Sequence, residues 1–506
     1  MNKIYSPLQL QELYQTACRR GGLTPADLVE RIAQRFVYAF TRLHSPSQRR
    51  VHIFAGAGEN GAYALAIARL LRERNYRPEV YLFYRQGKLS ENCEAQRLRL
   101  EGTEVPLTEV STEFRPPHFQ AGELIIDGLF GGELTKPLSG GYALVVDKIN
   151  QSGLPIVSIE IPSGLYAEDN STNPLEQVVR ATHTIAFESP YLSLLFGESA
   201  PYVGQWQVLP IGIDEGLHQD VNSRYYLQSE QTLGASLLTR QPFADKQACG
   251  SALLIGGSTS KVGHLLLALR AALRAGCGEL TVHTLTPLAT SLQIAQPELL
   301  ASLAGGQEFE QLPKHLGQYQ TIAIGTAMDE PAMSESLLRQ LMTSSSRPMI
   351  FDDWAIQRFA HNRSLLDIVP RGSVLLCSRR DQERLFGGHT TSLERVELAK
   401  QLASRLDATV VLKGAYTAIC RASDNVYFNT TGNAALARSG SGDVLTGLLL
   451  GLMARGYGSL VATLLACYLH GQVADLCAAR QSIESVLPSD LVNHIGEALR
   501  QLASDV

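Results

Sequence analysis

Residues 51–61 read Val51-His52-Ile53-Phe54-Ala55-Gly56-Ala57-Gly58-Glu59-Asn60-Gly61, a β-branched and aromatic run, a glycine turn, and then a helix expected from Ala62. A strand that passes through glycines into a helix is the unit from which parallel α/β sheets are built, and the flanking sequence repeats it. Residues 79–83, 124–127, 156–161 and 182–186 are further apolar runs of strand length, with helix-length segments such as 63–74 and 140–151 between several of them. Upstream, Thr24-Pro25-Ala26-Asp27 is a helix start, with a capping hydroxyl, proline at the first helical position and an acid in the first turn. The alternation predicts a parallel sheet covered on both faces.

Past Pro210-Ile211-Gly212 the chain turns polar, and a second alternation follows. Its strand-like runs are 251–255, 280–284, 321–324, 349–351, 374–377 and 410–412, and a long helical stretch is expected from Asp443 onward. The fold class is therefore α/β in two domains, 1–215 and 231–506, with 216–230 as linker.

The 506 residues are 45% hydrophobic and 18% charged, which is ample material for real cores and excludes a disordered chain. Lys and Arg number 44 against 49 Asp and Glu, so no basic surplus points to nucleic acid or a membrane surface. The apolar run 444–454 is about half of the roughly 18–20 residues that a bilayer span needs. The first ten residues lack the apolar core of a secretory signal, so a soluble cytoplasmic protein is expected. The eight cysteines stand singly, without metal-site or redox-motif spacing, and are expected as core thiols.

The sharpest chemistry lies at Gly432-Asn433-Ala434-Ala435-Leu436-Ala437-Arg438-Ser439-Gly440-Ser441-Gly442-Asp443-Val444-Leu445-Thr446-Gly447. Small residues at 439–442 let backbone N–H groups converge at a helix start, where an anion is well received. Asp443 in the same turn is placed to act as base for a hydroxyl that attacks a phosphoryl group, although a carboxylate there also serves as a simple helix cap. Upstream, Val410-Val411-Leu412-Lys413-Gly414-Ala415-Tyr416-Thr417 is a strand ending in Lys-Gly, where open α/β sheets bind nucleotides. Earlier still, Leu253-Leu254-Ile255-Gly256-Gly257-Ser258 leads into a helix expected over 263–276.

This ordered set resembles the ribokinase-like superfamily in its ADP-dependent NAD(P)H-hydrate dehydratase branch. Residues 268–278 and Tyr468-Leu469-His470-Gly471 match as well. The resemblance implies that Lys413, Gly414, Ala415, Tyr416, Thr417, Gly440 and Gly442 hold ADP or ATP with Mg2+. It also implies that Asp443 is the general base on the hydrated nicotinamide ring. The chain departs from the family at Gly325-Thr326-Ala327-Met328-Asp329, where Gly-Pro-Gly-Leu-Gly is usual. It departs again at Asp352-Asp353-Trp354-Ala355-Ile356-Gln357 and at Cys377-Ser378-Arg379-Arg380-Asp381-Gln382. Arg379 and Arg380 read either as a phosphate fork or as surface charge.

In the first half, Ile125-Ile126-Asp127-Gly128-Leu129-Phe130-Gly131-Gly132 and Ser158-Ile159-Glu160-Ile161-Pro162-Ser163-Gly164 each put an acid at a strand end. Asn60, Asp127, Glu160 and Ser163 would converge on one sheet edge as hard oxygen ligands for a cation, or else cap their own turns. With Gly87-Lys88-Leu89-Ser90-Glu91-Asn92-Cys93, residues 136–140, 181–184 and 202–204, this half resembles the NAD(P)H-hydrate epimerase domain. The resemblance implies potassium on Asn60, Asp127 and Ser163. It implies that hydrated dinucleotide is held by a loop of Glu59, Gly61, Ala62 and Tyr63 and by another of Gly131, Gly132, Glu133, Leu134, Thr135, Lys136 and Pro137. Glu160, standing where the family has Asp, is the candidate acid/base, and Tyr63 and Tyr166 also depart from the family pattern.

Both halves in this order resemble the bifunctional NAD(P)H-hydrate repair family. That implies hydrated NADH or NADPH and an adenine nucleotide as partners, no nucleic acid or membrane, and a homo-oligomeric assembly. A degenerate nucleotide-binding protein and a small-molecule kinase built on Gly-Ser-Gly-Asp are the competing readings.

Overall fold

The computed structural model describes residues 2–46, 49–84, 89–112, 114–388 and 390–504; Gly87 and Lys88 of the epimerase-like pattern lie outside them. The chain forms two compact units, Lys3–Ser223 and a second from Arg224 onward. Within the stretch 216–230 lie the end of helix Glu215–Asp220 and the strand Tyr225–Leu227.

The first unit is built on a seven-stranded sheet in the order Leu107–Val110, Arg77–Phe83, Arg50–Ala55, Leu124–Gly128, Ile156–Ile159, His183–Phe187, Gln205–Leu209. Every pairing in it is parallel. Alternation along Arg50–Ala55 separates two cores, as a strand period of two requires. Val51, Ile53 and Ala55 join the helices Pro7–Arg20, Pro25–Leu43 and Glu59–Arg72 on one face. Phe54, with Tyr81, Phe83 and Ile125, packs on the other face against Val145, Val146 and Ile149 of helix Gly141–Asn150. Thr24 caps its helix in a reciprocal box with Asp27, as the sequence indicates.

In the second unit the sheet runs Tyr225–Leu227, Val426–Phe428, Ala418–Arg421, Thr409–Leu412, Val374–Cys377, Met349–Phe351, Thr321–Ile324, Ser251–Ile255, Glu279–Thr284, Leu300–Leu303. This sheet is not wholly parallel. Ala418–Arg421 is antiparallel to both neighbours, because the link from Leu412 is far shorter than the dozen or so residues a parallel crossover needs.

The long helical stretch expected from Asp443 is also corrected. It is Ser441–Ala454, then Arg455-Gly456-Tyr457-Gly458, then Ser459–Ala478. Helix Ser441–Ala454 is apolar on nearly all sides and correspondingly buried. Its Gly447 and Gly451 lie against helix Val262–Arg274 so closely that a Cβ would come within 2.0 Å of the Ala268 carbonyl oxygen and 2.4 Å of that of Ala272. Ser459–Ala478 is long and apolar enough to cross a bilayer, contrary to the limit read from 444–454, and 72% of its apolar window is buried inside the fold.

All eight cysteines are free, and all but Cys18 are buried.

Candidate active sites

In the first unit, residues 59–63 are the first turn of helix Glu59–Arg72, capped by Gly58, rather than the loop the sequence suggested. Helical spacing therefore splits them. Glu59, Asn60 and Tyr63 line a cavity of about 830 Å³, while Ala62 is buried in the core and Gly61 lies against the Gly56 carbonyl. Gly131, Gly132, Glu133 and Leu134 line the same cavity; Thr135, Lys136 and Pro137 are exposed and do not.

Glu160 follows the strand Ile156–Ile159 with φ of 63°, a strained value for a non-glycine residue, and its side chain lines the cavity. Burial, then the charge of Glu133, push its carboxyl up to about 7, against one hydrogen bond from the Gly132 N–H. Tyr14, Tyr63 and Tyr191 share this cavity, and burial followed by the Glu160 charge holds all three phenols well above their usual range. Around neutrality the tyrosines stay protonated and Glu160 changes charge.

Asn60, Asp127 and Ser163 come together as expected. The Asp127 carboxylate is fully buried and accepts from the Ser158 hydroxyl at 2.8 Å, the Ser163 N–H at 2.8 Å, the Ser163 hydroxyl at 2.5 Å and the Leu129 N–H at 3.4 Å. The Phe130 N–H donates to Ser163 Oγ at 2.9 Å, and Asn60 Nδ2 donates to the Phe130 carbonyl at 2.8 Å and the Ile159 carbonyl at 3.2 Å. Asn60 Oδ1 is buried with no hydrogen-bond partner. An orphaned buried acceptor beside a buried carboxylate suits a cation of low charge.

In the second unit, Gly440, at φ 96°, caps helix Ser441–Ala454, and Asp443 is its third residue. Asp443 Oδ2 lies 2.9 Å from His264 Nδ1, and His264 is the third residue of helix Val262–Arg274. Burial first, then the Asp352 charge, push the Asp443 carboxyl up to about 6, against the pull of His264 and Lys413.

Asp352, just past the strand Met349–Phe351, binds Lys413 Nζ at 2.8 Å through Oδ1 and the Thr446 hydroxyl at 2.6 Å through Oδ2. Burial alone would lower the Lys413 ammonium, but Asp352, with Asp381 behind it, leaves it above its usual value. Lys413 is thus anchored inward beside Gly442, where a Cβ would lie 3.6 Å from Nζ. Gly414 and Ala415 are exposed, Tyr416 is half-buried, and the Thr417 hydroxyl closes their turn on the Gly414 carbonyl at 3.1 Å. Arg379 and Arg380 are exposed, and Arg379 pairs with Glu383 at 2.9 Å, which favours surface charge over a phosphate fork.

His264 and Thr446 escaped the sequence reading, and Asp352 entered it only as a departure from the family pattern. Asp329, in another departing segment, is held at about 2 by Lys261, Ser260 and Ser258. His470 Nε2 sits 2.9 Å from the Ser441 carbonyl, and burial pulls its imidazole down to about 4.

Comparison with known proteins covers both units. The family model for NAD(P)H-hydrate dehydratase matches residues 252–497, and that for the YjeF-related protein N-terminus matches residues 25–192. The bifunctional NAD(P)H-hydrate repair enzyme Nnr of Thermosynechococcus vestitus is 31% identical over 95% of this chain and 94% of its own length. That of Moorella thermoacetica is 29% identical over 91% of this chain and 89% of its own length. The solved ADP/ATP-dependent NAD(P)H-hydrate dehydratase from Bacillus subtilis, co-crystallized with ATP/Mg2+, is 27% identical. It covers 55% of this chain and 98% of its own, with a TM-score of 0.47.

Proposed function

We propose, for a chain that belongs to the bifunctional NAD(P)H-hydrate repair family, that its two units divide the repair of hydrated NADH and NADPH between them. The C-terminal unit, placed in 231–506, dehydrates the S hydrate with ADP or ATP. The N-terminal unit, placed in 1–215, interconverts the R and S hydrates. The chain is thus a lyase joined to an isomerase. The observation that carries this reading is that each unit sets a mostly buried carboxyl in its site: Asp443 at the helix start beside Lys413 and 2.9 Å from His264, and Glu160 in the cavity with Asn60 and Tyr63, both raised above their usual values by burial.

In the dehydratase unit, Asp443 ionises above about pH 6 and takes the proton of the ring hydroxyl as that oxygen attacks the terminal phosphoryl group of the nucleotide. The first turn of helix Ser441–Ala454 presents its N-terminal dipole to the phosphoryl charge that develops, with the Lys413 ammonium fixed beside it by Asp352. Phosphate then leaves with its oxygen, the neighbouring ring carbon loses a proton, and the ring double bond returns. Gly414, Ala415, Tyr416 and Thr417 hold the adenine nucleotide, and magnesium is the ion its phosphates carry.

In the epimerase unit the hydroxyl-bearing carbon lies beside the ring nitrogen, whose lone pair assists loss of hydroxide. Glu160, protonated below about pH 7, gives the departing hydroxide its proton and as carboxylate takes one from the water that returns to either face. Potassium fits Asn60 Oδ1 with Asp127 and Ser163 beside it, and would supply fixed positive charge.

The test uses the full chain with potassium, magnesium and ADP and the separated R and S hydrates of NADH. Reduced-nicotinamide absorbance is expected to return from both, and from R faster than its spontaneous epimerisation. No return from S overturns the dehydratase reading. Return from R only at the spontaneous rate overturns the epimerase reading.

A further inference from the structure

Dehydration by phosphoryl transfer asks for two deprotonations in one turnover, one at the ring hydroxyl and one at the neighbouring ring carbon. A single carboxylate that has taken the first proton cannot take the second until it is emptied. Asp443 is 15% exposed, so its own route to water is poor, whereas His264, 2.9 Å away, is 34% exposed. The other ring nitrogen of His264, Nε2, lies 3.4 Å from the Ser439 hydroxyl on the segment leading into the helix. The imidazole thus stands between the buried carboxylate and water.

We propose that His264 is a positioning residue for Asp443 that also empties it between the two chemical steps. The proposal rests on the dehydratase reading. The proton that leaves the ring hydroxyl passes from Asp443 to Nδ1, and the Nε2 proton leaves past Ser439 to water. The ring is left as the Nδ1–H tautomer, which donates to the restored carboxylate; once the products leave, Nε2 takes a proton from water and Nδ1 returns one to water through Asp443, so the next turnover starts again from the Nε2–H tautomer. The second proton, from the ring carbon, then goes to Asp443 and leaves with the departing phosphate as its conjugate acid. One proton per turnover is released, as conversion of a nucleoside diphosphate to a monophosphate and inorganic phosphate requires near neutral pH.

Three titratable groups face Asp443 from the elements packed on it: His264 from helix Val262–Arg274, Asp352 from the end of strand Met349–Phe351, and Lys413 from the end of strand Thr409–Leu412. Lys413 is already paired with Asp352 at 2.8 Å, and Lys261, three residues before His264, is paired with Asp329 at 2.8 Å. The imidazole is therefore the group in this set with a hydrogen bond to Asp443 and an open side toward solvent.

The experiment is a rapid-quench single turnover of the full chain with S hydrate and ADP, reading AMP for the first step and reduced-nicotinamide absorbance for the second. In the unaltered protein the two signals are expected in step. In His264→Ala, AMP is expected to form while nicotinamide recovery lags by about 10- to 100-fold, with phosphorylated hydrate accumulating, and added imidazole should restore the second signal. His264→Gln, which keeps a donor to Asp443 but carries no proton, is expected to lag as alanine does. ADP-induced thermal stabilisation of both variants confirms that they fold. If AMP and nicotinamide stay in step in His264→Ala, or if glutamine fully restores the second step, the relay is overturned. If the unaltered protein gives neither signal, the dehydratase reading falls and the relay with it.

Discussion

Asp352 clamps Lys413, its Oδ1 2.8 Å from the ammonium, and spends its second oxygen on the Thr446 hydroxyl at 2.6 Å. The strand end at 412 and the helix that carries Asp443 are thereby tied through one carboxylate. Asp352→Asn is expected to leave the mostly buried ammonium without its counter-charge and to destabilise the unit by roughly 3–5 kcal/mol in urea unfolding. Because the Asp352 charge helps to raise the Asp443 carboxyl above its usual value, its removal should also move the acidic limb of the dehydration pH profile below its position near pH 6. An unmoved limb would show that Asp352 does not act on Asp443.

Asp443→Asn should reduce dehydration of the S hydrate by at least about 100-fold, the lower range for removal of a positioned base. ADP should still raise the melting temperature, since Lys413 and the turn 414–417 are unaltered. Turnover within tenfold of the unaltered rate would remove Asp443 from the base role.

Glu160→Gln is expected to reduce epimerisation by about 100-fold or more and to abolish a fall in kcat/KM as pH rises through about 7, where the carboxyl loses its proton. Stability carries the same sign. A carboxyl raised in the fold from its ordinary 4.5 to about 7 contributes stability that is full below pH 4.5 and lost as pH rises through 7. Glutamine should therefore raise the melting temperature more at pH 8 than at pH 4, read by calorimetry.

Asn60→Ala tests the ion with less damage to the fold than a change at Asp127. Asp127 holds four hydrogen bonds in full burial, so Asp127→Ala should unfold the turn before it reports on potassium. Asn60 Oδ1 has no partner to lose. Epimerisation by Asn60→Ala should no longer respond to potassium over sodium, while the melting temperature falls, through loss of the Nδ2 bonds to the Phe130 and Ile159 carbonyls, by less than in Asp127→Ala. A retained potassium response would place the ion elsewhere.

The strands that carry both sites were legible because they are buried on two faces and read as uninterrupted apolar runs. Leu253–Ile255 is such a run, closed by glycine, and Val51–Ala55, also closed by glycine, departs from it only at His52. The edge strands Leu107–Val110 and Gln205–Leu209 were missed, since half-exposed edges mix polar and apolar residues. Asp443, Asn60, Asp127 and Glu160 were legible because each ends a strand or starts a helix at a glycine turn. The contacts between elements distant in the chain were not. Nothing local marks His264 as the partner of a carboxylate 179 residues away, or Asp352 as the anchor of Lys413. The Glu59–Tyr63 segment was misread because its glycine suggests a loop, while Gly58 ahead of it sets the helix start.

His264 and Asp443 occupy the turn just above Ala268 and Gly447, and Ala272 and Gly451 follow one turn below those. Three rungs, spaced by four residues on each helix, make a ladder whose lower two are backbone against backbone. The gap between base and imidazole is thus gauged by the thickness of a peptide group, and a single methyl at Gly447 would act as a shim beneath it. Transplanting the histidine alone into a scaffold with bulkier residues on those rungs would bring the two side chains within sight of each other and out of reach.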